Sequence, residues 1–242
     1  MIAKLADLLD DQWLVHVRGT PSTGKTTLAY LLRKHYKKQK TPVVLFSRPS
    51  RKPNVSLSSY LADQCEKEGY CGIQLSTFDM VFTIDEAQTA YFDSDLWEFI
   101  KAKRDQRTGP RFCIFSVYGS TVQGTREAND PTPDTLRSSV QVSILRSRTD
   151  GSPDICLLYN IDEFEDVLIK YCADPRHKLP LDQPARTYLY DITSGHPGAV
   201  ISILYYLQKV FISRSFLLRL MGSRNTEVGS TIIPSNKSQK TC

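Results

Sequence analysis

The run Gly19-Thr20-Pro21-Ser22-Thr23-Gly24-Lys25-Thr26 fills every position of the pattern G-x-x-x-x-G-K-S/T, and nothing else in the sequence limits the possible folds as tightly. Just before it, Trp13, Val15 and Val17 alternate with Leu14, His16 and Arg18, which predicts a strand. Just after it, Leu28, Ala29, Leu31 and Leu32 recur at helical spacing, which predicts a helix from Thr26 to about Lys38. A glycine-rich loop between a strand and a helix lets successive main-chain N–H groups and the positive end of the helix converge on a phosphate. Gly19 and Gly24 permit the curl, Lys25 is expected to reach the β- and γ-phosphates, and the Thr26 hydroxyl to ligate Mg²⁺. The expected nucleotide contacts therefore run from Gly19 through Thr20, Pro21, Ser22, Thr23, Gly24, Lys25 and Thr26 to Thr27, with ATP and Mg²⁺ as the cofactors.

A second constellation supplies what a hydrolase needs beyond phosphate binding. Met80-Val81-Phe82-Thr83-Ile84 is an apolar strand that ends in Asp85 and Glu86, at the carboxyl edge of the sheet where the loop should also lie. Asp85 is expected to hold Mg²⁺, and Glu86 to orient or deprotonate the attacking water. Ser116 and Tyr118 follow the next apolar strand, at positions from which a polar group could touch the γ-phosphate or the water; equally, Ser116 could end the strand and Tyr118 pack under the loop. The expected catalytic set is Glu86, Lys25 and Ser116. Arg146 and Arg148 are candidates for neutralising transition-state charge, against a reading as ordinary surface residues.

Elsewhere, strand signals at Val43–Phe46 and Arg111–Ser116 alternate with helical ones at Leu57–Cys65, closing near Gly69, and Asp93–Gln106. Such alternation predicts an α/β P-loop NTPase fold, a mostly parallel sheet with helices on both faces. Ser120–Ser139 carries Pro131 and Pro133 without periodicity and is expected to be a long loop, followed by a strand over Val140–Leu145 and an extended stretch over Asp154–Leu158. Asn160 with Glu163 fits a capping box that opens a helix with Phe164, Val167, Leu168 and Tyr171 on its buried stripe. Leu179–Val210 reads as two helices hinged at Ser194-Gly195-His196-Pro197-Gly198. The expected organisation is a core over 1–158, a small C-terminal helical lid over 159–221 and a polar, disordered tail over 222–242.

With 242 residues, 40% of them apolar, the chain can bury one sizeable core. No run approaches the roughly 18 to 20 apolar residues of a membrane span, and no signal peptide is read, so an intracellular location, cytoplasmic or nuclear, is expected. The six cysteines and four histidines lack zinc-site spacing, so metal should arrive with the nucleotide. A net charge of +5 is modest; Arg33, Lys34, Lys37, Lys38 and Lys40 are expected on a solvated helix end, and nucleic acid stays open as a partner through sequence-independent phosphate attraction, with no recognisable module to support it.

Five segments together, Gly19–Ala29, Ile84-Asp85-Glu86-Ala87-Gln88, Leu96-Trp97, Tyr118-Gly119-Ser120 and Ser194-Gly195-His196-Pro197-Gly198, resemble the P-loop domain of Crinkler-type proteins of fungi and oomycetes, itself similar to the AAA and STAND ATPases. The resemblance covers about residues 11–210. It implies nucleotide, magnesium and catalytic roles for Lys25, Thr26, Asp85 and Glu86, and places Gly195–Gly198 in a helical lid that His196 could carry towards the nucleotide. Where related proteins tend to have Gln-Arg, this chain reads Gln141-Val142, which leaves an arginine finger unassigned. The expected activity is ATP hydrolysis as a conformational switch, with a second copy or another protein as further partner. The competing readings are a nucleotide-binding protein without turnover and a helicase-like module. A GTPase is disfavoured because no Asn-Lys-x-Asp occurs: Asn236-Lys237-Ser238 is followed by Gln239.

Overall fold

The strand signals assemble into one parallel sheet. In the computed structural model, which describes residues 1–117, 138–143, 153, 155–177 and 179–224, the strands are β1 (Leu14–Gly19), β2 (Val43–Ser47), β3 (Val81–Asp85), β4 (Arg111–Val117) and β5 (Gln141–Val142). Their order across the sheet is β2-β3-β4-β1-β5, every neighbouring pair parallel. A parallel sheet buries both faces, which explains why these strands read as near-continuous apolar runs. Alternation sends Val15, Val17, Val81, Cys113 and Phe115 to one face, where α1 (Ile2–Gln12) and α2 (Lys25–Lys38) cover them with Leu5, Leu9, Leu28, Leu32 and Tyr36. Leu14, Phe82, Ile84, Phe112 and Ile114 point the other way, onto Leu61 and Cys65 of α3 (Leu57–Lys67) and Trp97 and Ile100 of α4 (Ser94–Gln106). Phe82 and Phe112 stack there with ring centroids 5.3 Å apart. The chain thus has the α/β fold of a P-loop NTPase.

Helix α1 has no counterpart among the sequence expectations, although Ile2, Leu5, Ala6 and Leu9 carry the i, i+3, i+4, i+7 spacing that buries it. Of the strand expected over Val140–Leu145, the described residues include Gln141–Val142 in strand, after a 3₁₀ turn at Ser138–Val140; 144 and 145 lie outside the described residues. Beyond it, Ser143 bridges to Cys156, so the pairing passes from β1 to the chain that leads into the helical part. Most of the expected loop over Ser120–Ser139 lies outside the described residues, as do Tyr118, Arg146 and Arg148.

Three further helices, α5 (Ile161–Ala173), α6 (Gln183–Thr193) and α7 (Pro197–Arg224), share a small core of Phe164, Leu168, Leu179, Leu189, Val200 and Leu204. The capping box is present: the Asn160 side chain accepts from the Glu163 N–H, and the Glu163 carboxylate from the Asn160 N–H. Asp182 caps α6 through the Ala185 N–H. Helix α7 runs on past Val210 to Arg224, entering the segment expected as tail; 225–242 lie outside the described residues. Among the described residues no helix is long and apolar enough to cross a membrane.

Candidate functional site

The loop between β1 and α2 is shaped by positions that tolerate little change. A Cβ on Gly19 would stand 2.6 Å from both the Leu157 Cδ1 and the Thr23 Oγ1, so any larger residue there must displace both side chains. Ser22 and Gly24 take left-handed conformations, with φ of 63° and 83°. Gly24 is the N-cap of α2, whose first-turn N–H groups therefore face the loop. The buried Thr23 hydroxyl donates to the Thr20 carbonyl at 2.8 Å and closes the turn.

Lys25 is only 5% exposed and folds back over this ring. Its Nζ donates to the Gly19 carbonyl at 3.1 Å and to the Thr20 carbonyl at 2.7 Å, which brings the ammonium to the centre of the loop. Burial lowers its pKa, while the carboxylates of Glu86 and Asp85 pull the other way. Both acids are thus within electrostatic reach of the loop, although β3 and β1 are separated by β4.

The Thr26 hydroxyl donates to the Asp85 Oδ2 at 2.8 Å. Asp85 is buried at the end of β3, and its other oxygen, Oδ1, has no hydrogen-bond partner among the described residues. A buried carboxylate oxygen without a donor is costly, and a divalent cation or its water relieves that cost. Mg²⁺ binds one or two protein oxygens, keeps several waters and takes the rest of its shell from phosphates. The Thr26 and Asp85 oxygens fit it, and no cluster of three or more acidic, histidine or cysteine ligands exists among the described residues.

Glu86 follows in a left-handed conformation, with φ of 54°, which turns its side chain out of the strand alternation. Its carboxylate accepts from the Gln88 amide at 2.5 Å. Gln88 sits in a 3₁₀ turn (Ala87–Ala90); the resemblance includes it in Ile84–Gln88 without giving it a role.

Ser116 stands opposite Arg18 in the register of β4 on β1. Strand alternation puts it on the sheet face of Phe112 and Ile114, opposite the face that carries α2, and it is fully buried. Its hydroxyl is 2.7 Å from the Nε2 of His16, itself 1% exposed. Burial first and Arg18 second push the His16 pKa down to about 3, so the ring is neutral. The structure brings together the loop, Lys25, Thr26, Asp85 and Glu86; it engages the Ser116 hydroxyl with His16.

From the other side, the start of α7 leans on the loop. His196 accepts the Ala199 N–H on Nδ1 at 3.2 Å, so a neutral ring carries its proton on Nε2, which stands 3.2 Å from the Thr20 hydroxyl. A Cβ on Gly198 would meet the Ser22 Cβ at 2.4 Å, and one on Gly195 the Tyr159 carbonyl at 2.3 Å. Gly198 thus marks where the helical part touches the core, while Gly195 packs on the chain that leads into α5. Between the two lies a cleft of about 400 Å³, open on one side to Ser22, Gly24 and Thr27 and walled by Leu28, Leu31, Leu157, Tyr159, Pro197 and Ile201.

No protein-family profile and no curated protein matches the sequence. Among solved structures, it is similar to a RuvB variant from Thermotoga maritima, with TM-score 0.40 and 16% identity over 84% of this chain and 59% of that one. It is also similar to AMPPCP-bound DnaA from Aquifex aeolicus, with TM-score 0.42 and 14% identity over 90% of this chain and 65% of that one. A third similar structure is C. elegans PCH-2, with TM-score 0.33 and 17% identity over 88% of this chain and 66% of that one. The chain spans about three fifths to two thirds of the length of these structures.

Proposed function

We propose that the chain binds ATP with Mg²⁺ at the Gly19–Thr27 loop and hydrolyses it, with α5–α7 acting as a lid whose position depends on the nucleotide. The observation that carries this reading is the Thr26–Asp85 pair: a loop hydroxyl 2.8 Å from a buried carboxylate whose second oxygen lacks a donor among the described residues. Lys25, already at the centre of the loop, would meet the β- and γ-phosphates. Bound magnesium would neutralise charge across those phosphates. Glu86 would orient a water for attack on the terminal phosphorus and take its proton as the bond to ADP breaks.

The 400 Å³ cleft would take the nucleoside, because it adjoins the phosphate-binding amides and offers an apolar wall of a size suited to a base. Base stacking there would join Leu28 and Leu31 of the core to Pro197 and Ile201 of the lid, so occupancy would favour the closed arrangement. The motif combination around Tyr118-Gly119-Ser120 and Gly195-His196-Pro197-Gly198 supports placing the domain among Crinkler-type, AAA- and STAND-like ATPases.

The test is steady-state phosphate release by purified protein with Mg²⁺ and ATP, compared with Glu86→Gln. Turnover should fall on the order of a hundredfold in the variant while ATP binding is retained. Equal rates would remove Glu86 from the chemistry and leave a binding protein.

A further inference from the structure

Gln88 joins two parts of the site that the strand order keeps apart. Its Nε2 donates to the Glu86 Oε2 at 2.5 Å, and its Oε1 accepts the backbone N–H of Val117, at the end of β4, at 3.3 Å. The two partners fix which end of the amide points where, since a main-chain N–H can only donate and a carboxylate accepts. The turn that carries Gln88 is itself pinned. Thr89 donates to the carbonyls of Pro49 at 3.2 Å and Glu86 at 3.0 Å, and the Trp97 indole donates to the Ala90 carbonyl at 2.9 Å.

Glu86 needs such a restraint. Its left-handed backbone takes the side chain out of the sheet's alternation, a conformation that non-glycine residues rarely adopt. A carboxylate that must hold a water in line with a phosphorus gains from losing its rotamer freedom beforehand. Gln88 reaches it from the same turn and is anchored in turn on the strand that lies between β1 and β3.

We propose that Gln88 is a positioning residue for Glu86, holding its carboxylate in the hydrolytic orientation and tying that orientation to the end of β4. This rests on the ATPase reading above. A glutamine at this place would act on turnover and not on nucleotide binding, because neither of its amide contacts touches the phosphate loop.

The test is a double-mutant cycle on kcat and KM for ATP hydrolysis, with ATP affinity measured in parallel. Gln88→Met keeps the side-chain length and loses both hydrogen bonds; Gln88→Glu keeps an acceptor for Val117 and sets a second carboxylate against Glu86. Each should lower kcat about tenfold and leave KM and ATP affinity within about twofold. In the Glu86→Gln background, Gln88→Met should change nothing further, since a residue that acts through Glu86 has nothing left to position. Wild-type kcat in both Gln88 variants, or a loss that adds in full to that of Glu86→Gln, would overturn the proposal while leaving the ATPase reading intact. Equal rates for wild type and Glu86→Gln would sink that reading, and the positioning role with it.

Discussion

The two sides of the phosphate loop are built differently. On the sheet side, the acids stand at the end of a buried strand and are held by short polar contacts: Thr26 to Asp85, Gln88 to Glu86, Lys25 to the loop carbonyls. On the lid side, the contact consists of a histidine against Thr20 and one glycine, Gly198, whose missing Cβ lets the start of α7 lie against Ser22. The first arrangement fixes atoms to a fraction of an ångström, which chemistry requires. The second is a close approach beside a small core of six buried side chains, and under the proposed function it would set how α5–α7 meet the nucleotide. Loss of Glu86 or Gln88 should therefore appear in turnover, loss of His16 in the stability of the core, and damage on the lid side in affinity.

The largest effect expected on stability belongs to His16. Its folded pKa of about 3 lies below the unfolded value near 6.5, so below pH 6.5 the unfolded chain takes up a proton that the folded chain refuses. The stabilisation is complete above pH 6.5 and is lost as pH falls towards 3. Between pH 6.5 and 5, denaturant unfolding should show wild type losing about 2 kcal/mol that His16→Gln does not lose. Parallel profiles for the two proteins would contradict the buried, neutral His16–Ser116 pair.

A smaller effect is expected from the lid. Gly198→Val would force a side chain into Ser22 and push the start of α7 off the loop. ATP affinity should drop about tenfold by calorimetry, with the unfolding of the core unchanged, since overpacking costs about 1–3 kcal/mol and falls here on the closed arrangement. Unchanged affinity would mean that the lid contact does not take part in binding.

The parts of this architecture that were legible in the sequence are those with local causes. The glycine-lysine loop, the acid-ended apolar run and the Asn160–Glu163 box each announce themselves within a few residues, and the alternation of elements gives the parallel sheet. Helix α1 was equally readable from Ile2, Leu5, Ala6 and Leu9, but the charges among them masked the spacing. The direction of Ser116 also follows from alternation along β4: with Phe112 and Ile114 it shares the face away from α2, where His16 waits. The role of Gln88 and the assembly of the cleft walls had no local signal. Gln88 matters because Val117 comes near it across the fold, and Leu31, Tyr159 and Ile201 meet only when the helical part lies on the core.

The central claim is that the Gly19–Thr27 loop, with the Lys25 ammonium at its centre, grips the phosphates of a nucleotide. Calorimetric titration of wild type and Lys25→Ala with ATP in Mg²⁺ tests it directly. The account predicts saturable one-site binding by wild type and a loss of affinity on the order of a hundredfold or more in the variant, as expected when one partner of a buried charged contact is removed. Equal affinities for the two proteins would contradict it.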